Sequence, residues 1–263
     1  MMSGRPALGW IAAAAAILIA VFFHLFAADA ANPNALWNIV HGQCVPDEEQ
    51  QGDPKPCAEV DLAKGVARGY AVLKDLRGAT QYLLIPTQRV TGIESPLLLA
   101  PDAPNYFADA WSARSFVDKA LGHELPDDDL SLAVNSTLAR SQNQLHIHID
   151  CIRADVRQTL EGERSQIVGE RWTLLNKPLA GHRYRTMRVA ESTLKAHNPF
   201  KLLARGVPGA SADMGRRTLV VVGMRLDGAR PGFAILADRA APARGDFAGG
   251  EELQDHSCAL GRR

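Results

Sequence analysis

The element order along this chain argues for an α+β fold built on an antiparallel sheet. Three observations carry that reading. The runs "GYAVLKD" and "QYLLIPT" are strand-like and separated by Asp75-Leu76-Arg77-Gly78, a hairpin pattern. The stretch "NYFADAWSARSFVDKALG" reads as a helix: Asn105 caps it, Phe107, Ala110, Trp111, Val117 and Leu121 form its apolar stripe, and Gly122 ends it. A second strand pair follows, "LSLAVNS" and "QLHIHIDCI", joined through the turn "TLARSQ".

The remaining elements are assigned in the same way. "NPNALWNIVHGQC" looks like a short helix capped by Asn34, with Leu36, Trp37, Ile39 and Val40 apolar. "VTGIESPLLLAPDAP" is punctuated by Gly and Pro and reads as loop. The C-terminal third offers a polar helix around Ala154–Val168 and a strand pair, "TLVVVGMRL" and "GFAILADRA", split by an Asp227-Gly228 turn.

The chain has 263 residues, 46% of them apolar, enough for one large core or two small ones. Its formal net charge is zero. No global basic field exists to hold nucleic acid, so no nucleic-acid partner is expected.

Between Arg5 and Asp29 no charged side chain occurs, and the interval contains "WIAAAAAILIAVFF". A run of that length can cross a hydrocarbon core of about 30 Å as a helix. Arg5 precedes it and acidic residues follow it, which leaves the N-terminus in the cytoplasm and exports the rest. Trp10 reads as an interfacial anchor and His24 as a residue near the outer headgroups. Ala28-Asp29-Ala30 resembles a signal-peptidase site, but the long run with Phe22, Phe23 and Phe26 favours an uncleaved anchor. The expected organisation is an anchor at 1–28 and one exported domain at 29–263, its C-terminal extension packed on the core.

Four cysteines, Cys44, Cys57, Cys151 and Cys258, all lie in the exported part. An even count in an oxidising compartment reads as two disulfides. Of three possible pairings we expect Cys44–Cys57, closing "CVPDEEQQGDPKPC", and Cys151–Cys258, tying the tail to the strand beside the histidines. A zinc site is the alternative, and no paired C-x-x-C spacing supports it.

The stretch "QNQLHIHIDC" holds the chemistry. On a strand, Gln144, His146, His148 and Asp150 share one face while Leu145, Ile147, Ile149 and Cys151 point into the core. Three readings follow. The polar face is solvated; or it holds a metal with Asp150 or His182 as a further ligand; or one imidazole is a nucleophile whose other nitrogen is held by an acceptor. Other residues carry weaker signals: Arg153 and Arg157 share a helix face, His182, Arg183 and Arg185 form a basic cluster, and Lys74 stands beside a turn. For the helix face and Lys74 solvent is the ordinary role, and the basic cluster reads as an ordinary basic strand.

The same stretch resembles the signature of the histidine-triad (HIT) superfamily, alternating histidines followed by apolar residues. The strand "QYLLIPTQRV", the helix from Asn105 and "LAVNS" extend the match. Within that superfamily the chain most resembles the membrane-anchored CDP-diacylglycerol pyrophosphatases, on "CAEV", "VLKDL", "QYLLIPT", "ESPLL", "QNQLHIHIDCIRADVR" and "QDHSC". The resemblance implies a HIT-like sheet with packed helices, a single-pass protein of a bacterial-type inner membrane, and a catalytic domain on the periplasmic side. It implies that His146 is the nucleophile and that His148 contacts the bound phosphate. Gln144 occupies the first triad position and can donate a hydrogen bond but carries no charge. Asn135, Ser141 and Gln142 fall where polar contacts to the substrate are expected.

The activity implied is hydrolysis of CDP-diacylglycerol to CMP and phosphatidate, with no cofactor and no metal. A CMP transferase using another acceptor, a non-catalytic envelope protein binding nucleotide or lipid, and a metal-dependent hydrolase are the competing readings.

Overall fold

The computed structural model describes residues 32–226 and 230–262. The apolar N-terminal run, with Arg5, Trp10, His24 and the Ala28-Asp29-Ala30 motif, and the Asp227-Gly228 turn lie outside the described residues. Among the described residues no helix is long and apolar enough to cross a membrane.

Among the described residues nine strands form one antiparallel sheet: β1 (Glu59–Asp61), β2 (Tyr70–Lys74), β3 (Tyr82–Pro86), β4 (Leu130–Val134), β5 (Ile147–Cys151), β6 (Thr173–Leu174), β7 (Arg185–Ala190), β8 (Arg217–Arg225) and β9 (Pro231–Arg239). Their order across the sheet is β1-β2-β3-β5-β4-β8-β9-β7-β6. The histidine strand β5 is therefore internal, between β3 and β4. The late strands β8 and β9 continue the same sheet through β4.

Alternation assigns every strand two faces. On one face Val72, Leu84, Ile147, Ile149, Leu132, Leu219, Val221, Phe233 and Ile235 join the main core. It is covered by α3 (Tyr106–Ser112) and α4 (Ser115–Leu121). The opposite face carries two separate apolar clusters. Ala71, Leu73, Leu83 and Ile85 pack under the N-terminal helices. Ala133, Val220, Val222, Ala234 and Leu236 pack with Val156 and Leu160 of α5 (Ala154–Gly162). His148 pairs with Leu83 on one side and Ala133 on the other, so the polar residues of β5 run along the seam between these clusters.

Three elements depart from the sequence expectation. The first helix does not stop at the cysteine: α1 (Ala35–Ile39) passes through a π-helical turn at Val40–Cys44 into α2 (Val45–Gln51). Pro46 sits in the first turn of α2, where its missing N–H costs nothing, and Gly52 ends it at φ 63°. Asn34 makes no capping bond; its side-chain oxygen accepts from Arg89 at 2.5 Å instead. The second departure is that the helix from Asn105 is two helices. Trp111 and Phe116, five residues apart, point about 140° apart on one straight helix. The break lets Trp111 meet Phe233 edge-on at 4.7 Å while Phe116 meets Tyr82 at 5.4 Å. Asn105 does cap, accepting from the Ala108 N–H, and Gly122 does end the pair in the left-handed region. Third, the polar helix expected to reach Val168 stops at Gly162.

The tail after β9 returns to β5. Asp255 N–H donates to the Cys151 carbonyl at 2.9 Å, and Gln254 donates to Ser131 and to the His148 carbonyl. Cys151 is bonded to Cys258 and Cys44 to Cys57, the two pairs expected.

The two disulfides close loops of different size, 107 and 13 residues in sequence separation. Chain-entropy reasoning gives roughly 4–5 kcal/mol for a loop near a hundred residues and about 3 kcal/mol for a short one. Replacing both Cys151 and Cys258 by Ser should lower the urea midpoint more than replacing Cys44 and Cys57. Equal losses, or the reverse order, would show that the tail is held chiefly by other contacts.

Candidate active site on the buried polar face of β5

The polar face of β5 is not solvated. Gln144 and Asp150 are 0% exposed, His148 4% and His146 7%. A buried polar group without a partner costs about 1–3 kcal/mol, so each must find one.

Gln144 is saturated by backbone. Its amide nitrogen donates to the Pro86 and Gln88 carbonyls, both at 2.9 Å, and its oxygen accepts from the Val90 N–H at 3.3 Å. Both amide protons are thus committed, and the side chain pins the strand leaving β3. The backbone carbonyl of Gln144 also orients the neighbouring imidazole, lying 2.7 Å from His146 Nδ1. A carbonyl only accepts, so Nδ1 carries the proton and the lone pair resides on Nε2. Burial, the largest cause, lowers the pKa of His146, and Arg140 adds to the lowering while Glu251 and Asp75 oppose it. The imidazole is neutral at neutral pH, with Nε2 available as a nucleophile.

His148 stands edge-on to His146, ring centroids 4.8 Å apart. Its Nδ1 is 2.7 Å from Gln81 Nε2, while its Nε2 is buried and has no hydrogen-bond partner. With the Gln81 amide donating, His148 carries its proton on Nε2, a donor with nothing yet to bond. Burial first, then the charges of His146, His256 and Arg77, hold its pKa well below the ordinary value.

Asp150 accepts from the Thr80 hydroxyl at 2.8 Å and the Cys151 N–H at 2.9 Å, and its second oxygen holds His256 Nδ1 at 2.9 Å. That hydrogen bond is the main reason the His256 pKa is raised. Glu251 lies 3.3 Å from His148 Nδ1. Arg140 forms a two-pronged pair with Glu94 at 2.5 and 2.8 Å, and its Nε is buried without a partner.

The other sequence candidates have protein partners or solvent. Asn135 donates to Glu251 at 2.5 Å. Gln142 donates to the Asn32 carbonyl and accepts from the Leu36 N–H, fastening α1. Ser141 is exposed. His182 is not a third ligand for the histidine pair: it stands beside Asp246 at 3.3 Å and Glu252 at 3.6 Å. Among the described residues the group arranged to hold a metal ion is His182 with Asp238 and Asp246. Arg153 pairs with Asp155, and Arg157 with Asp128 and Asp129. Lys74 closes its hairpin on the Asp75 and Gly78 carbonyls, and Arg183 reaches the Leu175 carbonyl.

Sequence reasoning gave no role to Gln81, Glu251, Arg140 or His256. Gln81 opens "QYLLIPT" and His256 lies in "QDHSC", so both fell inside stretches that carried the resemblance. Glu251 and Arg140 had no local signal.

Fold and site together define an α+β protein whose sheet buries a pair of imidazoles, one held by a backbone carbonyl in the tautomer of a nucleophile. The sequence model of the CDP-diacylglycerol pyrophosphatase family matches residues 31–262, and the chain belongs to that family. It is 43% identical over 229 residues to a Yersinia pestis protein named CDP-diacylglycerol pyrophosphatase, covering 87% of this chain and 85% of that one.

The buried imidazoles predict a pH dependence. A histidine whose pKa is lowered on folding adds stability above its unfolded value of 6.5, and this is lost as pH falls through the folded pKa. The raised His256 works oppositely: its contribution is present below 6.5 and lost as pH rises through its folded value. Urea unfolding should show the protein losing stability as pH falls below 6.5, with His148→Gln flattening that loss. An unchanged slope in the variant would mean that His148 is charged in the fold.

Proposed function

We propose that this protein hydrolyses CDP-diacylglycerol to CMP and phosphatidate through a nucleotidyl-histidine intermediate on His146. One observation carries the reading: the Gln144 carbonyl fixes the His146 proton on Nδ1 and leaves Nε2 free, in a chain of the CDP-diacylglycerol pyrophosphatase family. His146 Nε2 attacks the phosphorus next to cytidine. The bond from that phosphorus to the bridging oxygen breaks, and phosphatidate leaves. Water then attacks the same phosphorus, the P–N bond breaks, and CMP is released.

Little bond-making falls to the protein in such a transfer, so positioning and charge dominate. His148 Nε2–H and Arg140 Nε are buried donors without a partner, and Arg140 acts electrostatically on His146. They meet the phosphate oxygens. Gln144 acts through its backbone contacts, and Asn135 and Gln142 act by holding Glu251 and α1. Ser141 is exposed and free to meet substrate. No metal enters the steps.

The succession of hairpin, helix pair and hairpin from β2 to β5 supports a HIT-like assignment. Residues 1–28 tether the protein to a bacterial-type inner membrane and the domain at 29–263 works on the periplasmic side. Two disulfides support an oxidising compartment, and a tether keeps the enzyme in the plane of a substrate that barely leaves the bilayer.

CMP release from CDP-diacylglycerol in detergent micelles, with a chelator present, tests the proposal. The native protein should turn over, and His146→Ala should lose at least about a thousandfold, the scale seen when a nucleophile is removed. Activity lost to the chelator would restore the metal reading; activity retained in the variant would remove His146 from the reaction.

A further inference from the structure

The C-terminal tail brings one carboxylate to the histidine pair that the steps above do not use. Glu251 sits in the short helical turn Gly250–Leu253. Its Oε1 lies 3.3 Å from His148 Nδ1, 3.4 Å from Gln81 Nε2 and 3.9 Å from His256 Nε2. Its Oε2 accepts from Asn135 Nδ2 at 2.5 Å, and its own N–H donates to Asn135 Oδ1 at 3.3 Å. Asn135 thus grips both ends of the residue and fixes the carboxylate against the ring.

We infer that Glu251 is a positioning residue that holds the Nδ1 proton of His148 while Nε2 moves a proton during the reaction. The inference rests on the nucleotidyl-histidine reading and adds to it the source of the proton. In the structure Gln81 Nε2 donates to Nδ1, and Gln81 Oε1 is buried without a partner. If His148 gains a second proton, Nδ1 becomes a donor and needs an acceptor. Glu251 Oε1 already stands beside it, and turning the Gln81 amide over brings a second acceptor. The surroundings can therefore hold either protonation state of the ring.

The atoms balance across both steps. With pyrophosphate bound, His148 is protonated on both nitrogens. His146 Nε2 forms the N–P bond as the bond to the bridging oxygen breaks, and that oxygen takes the Nε2 proton of His148. The ring is then neutral, with its remaining proton on Nδ1 facing Glu251. Water gives a proton to His148 Nε2 as its oxygen attacks phosphorus, the P–N bond breaks, and the starting charge state returns. The groups facing His148 are His146 from its own strand, Glu251 and His256 from the tail, and Asp75 and Arg77 from the β2–β3 hairpin. Burial and three of these neighbours keep the ring neutral. Glu251 is the carboxylate nearest to Nδ1, Asp75 standing at 3.9 Å, and bound phosphates add negative charge to the same side of the balance.

The test compares native full chain with Glu251→Gln, Glu251→Asp, Asn135→Ala and His146→Ala, measuring kcat for CDP-diacylglycerol against pH. Glu251→Gln should lower kcat by about 100-fold with KM nearly unchanged, the usual scale for general acid–base catalysis. Loss of the carboxylate lowers the His148 pKa in the complex, so the alkaline limb of kcat moves to lower pH. Asn135→Ala should move it the same way by less, and Glu251→Asp should return part of the rate. A nitrophenyl ester of CMP has a leaving group that needs no proton, so Glu251→Gln should still give a stoichiometric burst of nitrophenolate. An unmoved limb in Glu251→Gln and Asn135→Ala, with His146→Ala inactive, overturns the role of Glu251 alone. CMP release by His146→Ala overturns the underlying reading as well.

Discussion

The burial of four polar side chains, on an internal strand and on the segment that leads into it, governs the rest of this structure. β5 has apolar residues on its core face, but its other face carries His148 and Asp150 along the seam between two apolar clusters, with Gln144 and His146 buried in the segment that leads into the strand. No solvent reaches most of their atoms. Every hydrogen bond they need must come from elsewhere in the chain, and distant segments are folded around that demand. The stretch Pro86–Val90 satisfies Gln144; Thr80 and the tail satisfy Asp150, and Gln81 bonds His148 Nδ1.

The tail links that requirement to chemistry. It lies against the end of β5 and is bonded to it through Cys151–Cys258. It also touches the β2–β3 hairpin so closely that a side chain at Gly78, where φ is 67°, would meet the His256 carbonyl at 2.9 Å. Its residues reach opposite ways: Glu251 towards His148, Glu252 towards Tyr184 and His182. Against this satisfied background the atoms left without partners stand out. His148 Nε2 and Arg140 Nε are donors in a buried site beside a neutral, correctly tautomeric imidazole.

Much of the sheet was legible from alternation. β2, β3, β4 and β5 fall inside the runs read as strands, and β8 and β9 match theirs to within a residue at each end, because burial on one or both faces leaves a short-range apolar signal. β7 was signalled only at its first residue, by the basic strand read at 181–185, because arginines at 185 and 188 obscure Met187 and Val189, the residues that join the core. The single helix from Asn105 was misread because period alone does not register that Trp111 and Phe116 need different neighbours. In the site, the strand face was visible and its burial was not. Gln144 looked like a substrate contact since its backbone partners Pro86 and Gln88 lie 58 and 56 residues away. Glu251 comes from 103 residues beyond His148 in a polar tail with no periodicity, and only the tertiary fold brings them together.

The central claim is that His146 becomes covalently bonded to phosphorus. The stereochemical course at that phosphorus tests it most directly. CDP-diacylglycerol carrying one sulfur of known configuration on the cytidine-side phosphate would be hydrolysed in oxygen-18 water, and the configuration of the CMP thiophosphate determined. Two successive displacements, through His146 and then water, predict net retention. Net inversion would mean that water attacks the substrate directly, and the imidazole would then not be the nucleophile.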